Sequence, residues 1–134
     1  MASASYQPAI DPHKSQNAEW ILNLFSAEIP VATVWSTRVA ICRALQILIN
    51  KCIPHPDLTI SQETMSLVWQ RLKLVAGDRG YESVRTAAAK TVADFVDWVE
   101  RHPEWHDIQN TVRVELPGIV AAETSSIIQA EYRR

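Results

Sequence analysis

A chain of 134 residues is long enough for one domain or one piece of a larger array, and 47% hydrophobic against 21% charged residues lets it bury a core. A net charge of −2 excludes the basic excess that general nucleic-acid or anionic-membrane binding needs. Three glycines against seven prolines, with many Leu, Ala, Gln, Glu and Arg, favour helices over hairpins.

Residues 1–14 hold Pro8, Pro12 and small polar residues without a period, and are expected to be a flexible lead-in. They lack the charged and apolar regions of a secretory signal. A first helix is predicted over Ser15–Glu28, with Trp20, Ile21, Leu24 and Phe25 at helical spacing and Pro30 as its stop. Thr33–Cys52 is the second and most apolar helix. Its stripe runs Trp35, Val39, Cys42, Leu45, Ile49 and Cys52, widened by Ala40, Ile41, Ala44 and Leu48, so neighbours are expected on two sides. The apolar run Leu45–Ile49 is broken by Gln46 and too short to span a bilayer.

Pro54 and Pro56 end that helix, and Ser61 is placed to cap a third through Met65, Val68, Trp69, Leu72 and Val75. Gly77–Gly80 is a short turn, after which Tyr81–Arg101 carries Val84, Ala88, Val92, Phe95 and Val99 on one stripe. The run Ala87–Ala89 leaves part of this fourth helix smooth enough for close approach by another. Ile108, Val112, Leu116, Ile119 and Val120 predict a fifth helix, with Pro117 either kinking it or dividing it in two. Val112–Leu116 also alternates like a strand, but a lone strand has no partner. A short helix is predicted over Thr124–Arg133.

An offset of 47 residues sets Arg38 on Arg85, Arg43 on Lys90, Leu45 on Val92 and Leu48 on Phe95, and Trp20 on Leu67. Two successive helix pairs thus share a pattern whose period lies in the range of stacked helical repeats. One pair cannot bury both its faces, so neighbours share a continuous core.

Val84-Arg85 ahead of the alanine run resembles the second helix of a HEAT repeat. That resemblance implies that an acidic residue in the intra-repeat turn pairs with the arginine, here Asp78 with Arg85, as part of a ladder that includes Arg38. The first unit departs from the pattern, because nothing acidic lies between Pro30 and Arg38. The run from Val34-Trp35-Ser-Thr-Arg38-Val39, through Tyr81-Glu-Ser-Val-Arg-Thr-Ala87, to Trp105 and Arg113-Val-Glu-Leu116 is similar to the C-terminal end of the giant HEAT-repeat adaptors and scaffolds of the 26S proteasome. The similarity covers roughly residues 33–132. It implies a non-catalytic, cofactor-free scaffold in cytoplasm and nucleus. Its partners would be the proteasome core and regulatory particles, whose assembly it would monitor, and neighbouring HEAT repeats of the same longer chain. A HEAT array of a transport receptor or phosphatase subunit, or a small helical metal or enzyme module, are the alternatives.

The residues offer little chemistry of their own. His102 and His106 stand four apart beside carboxylates, but Pro103 breaks the regular helix a metal pair would need. His13 and His55 are expected in solvated loops. Cys42 and Cys52 fall on the apolar stripe, about 15 Å apart along one helix, too far to bridge. Buried, unreactive thiols in a reduced intracellular protein are the simpler reading. Trp20, Trp35 and Trp69 are expected in the core, and Trp98 and Trp105 at a partner or further repeat. Arg43 and Lys90 are candidate contacts for an acidic partner. The expected fold is all-α, a short right-handed α-solenoid of antiparallel helix pairs in one domain, 15–134, with units 15–53, 61–102 and 104–134. The N-terminal side of the first helix is expected to expose apolar surface.

Overall fold

The computed structural model describes residues 12–133 and is all-α. Six α-helices follow in order: α1 (Pro12–Ala27), α2 (Trp35–Cys52), α3 (Gln62–Ala76), α4 (Glu82–Glu100), α5 (His106–Ala122) and α6 (Ser126–Glu131). A single 3₁₀ turn, Pro103–Trp105, precedes α5. Most of the lead-in expected over 1–14 lies outside the described residues. Its last three residues belong to α1, so helix replaces the predicted loop at His13. Proline suits a first helical position, where its missing N–H would have had no partner.

Alternate helices pack together throughout, and α1 with α2, α3 with α4 and α4 with α5 pack as consecutive neighbours. α1 lies against α2 and α3, α2 against α4, α3 against α4 and α5, and α4 against α5 and α6. Alternate helices run parallel and in register. Glu19 and Asn23 of α1 meet Thr64 and Arg71 of α3. Cys42 and Gln46 of α2 meet Thr91 and Asp94 of α4. Trp69 of α3 meets Glu115 of α5. The hydrogen bonds that join these rows connect residues 38 to 49 positions apart, a range that brackets the 47-residue offset in the sequence.

α4 sits at the centre because its surface permits it. Val84, Ala88, Val92, Phe95 and Val99 are all buried as the spacing predicts, and Ala87, Ala89, Thr91 and Trp98 are buried with them. The alanines have little volume, so α2 comes close enough for the Thr91 hydroxyl to donate to the Cys42 carbonyl at 3.0 Å. Trp69 stacks on Phe95 with ring centroids 5.9 Å apart and fixes α3 against the same helix. Interior close packing of this kind makes each lost methylene costly.

The start of α3 is set by the predicted cap. The Ser61 hydroxyl accepts from the Thr64 N–H at 3.2 Å, and Glu19 of α1 completes the cap by accepting from the Ser61 N–H, the Ser61 hydroxyl and the Thr64 hydroxyl. α5 is one continuous helix with Pro117 inside it, so neither two helices nor a strand forms there. Val114, which a strand would alternate with buried neighbours, is exposed on its outer side.

α1 departs from expectation most. Its buried positions are Ala18, Leu22 and Ser26, followed by Ile29, rather than the stripe that includes Trp20, Leu24 and Phe25. Neighbouring α2 and α3 cover the former line, and the larger apolar side chains are left exposed. α2 behaves similarly in part. Val39, Cys42, Leu45, Ile49 and Cys52 are buried, while Trp35, Ala40 and Ile47 are exposed.

Candidate interaction surface

Two arginines organise the turns between helices. Arg38, in the first turns of α2, donates from Nε to the Ala32 carbonyl at 2.9 Å and from Nη1 to the Asp78 carboxylate at 2.8 Å. Arg85, the equivalent residue of α4, donates from Nη1 to the Asp78 carbonyl at 3.1 Å and from Nε to the Glu123 carboxylate at 3.0 Å. Each arginine therefore grips a carbonyl of its own turn and the carboxylate of the following one. The expected pairing of Asp78 with Arg85 through their side chains is corrected to this forward register. Arg38 also has an acidic partner, although nothing acidic lies between Pro30 and Arg38. The chain supplies the acid one unit later, because the arginine's long side chain points across the stack.

Both carboxylates do further work in place. Asp78 Oδ1 accepts from the Gly80 N–H at 2.8 Å and the Tyr81 N–H at 3.3 Å, which closes the turn and starts α4. Partial burial alone would raise the Asp78 pKa. The hydrogen bonds from Gly80, Arg38 and Tyr81 and the charge of Arg38 outweigh it and hold the carboxyl below its usual range. Glu123 ends α5 and accepts from the Ser125 N–H at 3.0 Å. Gln129 then donates to the Val120 and Glu123 carbonyls, satisfying the end of that helix. Sequence reasoning missed Glu123, although it follows Arg85 by 38 residues as Asp78 follows Arg38 by 40.

Four of the five tryptophans exchange places with their predicted roles. Trp98 is 1% and Trp105 4% exposed, so neither reaches a partner. Their rings meet edge to face at 5.2 Å, His102 stacks on Trp105 at 4.1 Å, and the Trp105 indole donates to the Ile60 carbonyl at 3.0 Å. The 3₁₀ turn at Pro103 folds this aromatic group inward, which a count along a regular helix does not anticipate. Trp69 is in the core as expected. Trp20 is 64% exposed, and Trp35 is also exposed, stacked on exposed Tyr81 at 5.7 Å. Among the described residues the first helix pair thus exposes Trp20, Leu24, Val31, Val34 and Ile47, while Trp35 lies on Tyr81 at the start of α4. That agrees with the apolar surface expected there, and it extends onto α2. Single exposed apolar residues are ordinary, whereas several together make a candidate contact surface.

Arg43 is exposed on α2 and Lys90 is half-buried at the equivalent place on α4. Neither joins a salt bridge with a described residue. A groove of about 750 Å³ opens between the α3–α4 turn and the second half of α5, lined among others by Lys73, Arg79, Val114 and Gly118. Its Lys73 is paired with Glu115 at 2.7 Å, and the Trp69 indole donates to the same carboxylate.

The thiols sit in apolar surroundings, and burial pushes Cys42 up to about 12 and Cys52 up to about 11, away from nucleophilic use. His102 is buried with Nδ1 2.9 Å from Glu104, while His106 is exposed, so the two rings do not converge. Among the described residues no group of three or more His, Cys, Asp or Glu is placed to hold a metal ion, and no helix is long and apolar enough to cross a membrane. Comparison with family models, with curated proteins and with solved structures found no match to the chain.

Proposed function

We propose that the chain is a short HEAT-like solenoid acting as a non-catalytic protein-interaction scaffold, the C-terminal repeats of an adaptor that binds the proteasome core and regulatory particles and monitors their assembly. The observation that carries the repeat reading is the pair of equivalent arginines, each tying its own turn to the carboxylate of the next. A ladder of this kind stacks helix pairs in one direction, and stacked pairs offer long surfaces to partners rather than a single cleft. The proteasome assignment rests on the sequence similarity over residues 33–132, and with it the cytoplasm and nucleus as the place of action. Arg43 and Lys90, in equivalent positions on adjacent parallel helices, form the ridge assigned to an acidic partner surface.

Binding is tested by passing purified core particle, regulatory particle and the assembled complex separately over the immobilised chain. The reading predicts retention of at least one, weakened when Arg43→Glu and Lys90→Glu are combined. Retention of none at micromolar concentration contradicts the assignment. Retention indifferent to the double substitution removes the ridge from it.

A further inference from the structure

We infer that the face of the first helix pair that no described residue covers, built on Leu24, Val31 and Ile47, docks a further antiparallel helix pair that presents apolar side chains and sets no arginine against its turn. The inference rests on the repeat-stacking reading above and adds the chemistry of what stacks there.

The corresponding face of the second pair is already filled, and the filling shows how such a face works. Ser61, Thr64 and Thr91 hydrogen-bond the first pair there, and three further polar residues anchor it. Arg71 donates to the Asn23 carbonyl, the Asn23 side-chain oxygen and the Ser26 hydroxyl. Asp78 accepts from Arg38, and Asp94 accepts from Gln46 and Asn50. Counting back 47 positions from Arg71, Asp78 and Asp94 gives Leu24, Val31 and Ile47. Those residues are 44%, 69% and 60% exposed. At these three anchor points the face is polar where the chain fills it and apolar where no described residue covers it, whereas Ser61 and Thr64 correspond to polar Lys14 and Asn17.

The substitution decides the partner. An arginine reaching forward to the first turn would meet Val31 instead of a carboxylate and lose its water without gaining a counter-charge. Amides and hydroxyls in the places of Asn23, Gln46 and Asn50 would likewise lie against Leu24 and Ile47. An apolar helix pair removes Leu24, Val31 and Ile47 from water and sets no charge or amide against them. Its geometry follows the contact of the first pair on the second, because that contact covers the equivalent positions. The arginine ladder therefore runs from Arg38 onward and is interrupted before it.

The test is a 47-residue tandem duplication, residues 1–60 followed directly by 14–134, made in three versions. One is unaltered. The second carries Asn23→Leu, Arg38→Leu, Gln46→Leu and Asn50→Leu in the leading copy only. The third restores the polar anchors in the following copy, with Leu24→Arg, Val31→Asp and Ile47→Asp. Hydrogen exchange is read over residues 17–25 of the following copy, with α4 and α5 reporting that the rest of each protein is folded. Protection by about tenfold or more is expected in the second and third versions and not in the first. Equal protection in the first and second means that the face does not select an apolar partner, and overturns the inference. Protection in the third alone also overturns it, yet leaves repeat stacking intact. Failure of the third version strikes the stacking reading itself.

Discussion

The two arginine rungs use the same residue at equivalent positions, yet they sit in different surroundings. Arg38 and Asp78 keep 31% and 9% of their side chains exposed, whereas Arg85 and Glu123 keep 12% and 2%. The first rung joins the α1–α2 turn to the α3–α4 turn, and the second joins the α3–α4 turn to the end of α5. A near-surface pair gains little because water screens it and already solvates both groups. A buried pair has given up that solvation, so its members depend on each other, and removing either one strands the other. The chain therefore carries the same ladder contact twice with very different consequences for stability.

The sharpest way to break the comparison is Glu123→Ala. It leaves Arg85 without its carboxylate and should cost about 3–5 kcal/mol in denaturant unfolding. A loss under about 1 kcal/mol would put the buried rung in the surface class and erase the contrast. Asp78→Ala is expected to cost less, about 2 kcal/mol, through the lost partner of Arg38 and two unsatisfied turn N–H groups. Arg38→Met, which keeps the stem against the helix, should cost about 1 kcal/mol, below the loss for Arg85→Met.

Acid sharpens the same contrast. Glu19, Asp78 and Glu115 are all held below the usual carboxylate range. For Glu19 partial burial opposes the shift and hydrogen bonds from Ser61 and Thr64 prevail, while for Glu115 the Lys73 and Trp69 donors lead. A depressed carboxyl stabilises the fold fully above its unfolded value and loses that contribution as pH falls through its folded value. Stability should thus be level down to the ordinary values of 4.5 for Glu and 3.8 for Asp and decline below them. In Asp78→Asn the decline should be shallower, and an unchanged slope would remove Asp78 from the account. The smallest effect on stability comes from the thiols, whose signature is kinetic. With Cys42 and Cys52 raised to about 12 and about 11, alkylation by iodoacetamide at pH 8 should await unfolding, and prompt labelling of the native chain would contradict their burial.

Much of the helical framework was legible because local rules and packing agree along most of the chain. The α4 stripe, the Ser61 cap and the turn at Gly77–Gly80 each follow from spacing or a single favourable residue. The misreadings arose where a helix has several apolar lines and only its neighbours decide which is buried. In α1 the larger side chains, Trp20 among them, lost to Ala18, Leu22 and Ser26. Trp98 and Trp105 were misjudged because the Pro103 turn redirects the chain, and a helical count cannot follow it. The arginine ladder was half legible. Periodicity locates Arg38 and Arg85, but the reach of an arginine across to the next turn is a three-dimensional fact.

That reach is the central claim, and a set of double-mutant cycles tests it directly. Arg85→Met is combined with Glu123→Gln and, separately, with Asp78→Asn, and Arg38→Met is combined with Asp78→Asn. Forward pairing predicts coupling of about 1–3 kcal/mol for Arg85 with Glu123, a smaller coupling for Arg38 with Asp78, and little for Arg85 with the Asp78 side chain, whose backbone carbonyl alone it contacts. Stronger coupling of Arg85 to Asp78 than to Glu123 would restore pairing within a single unit and contradict the account.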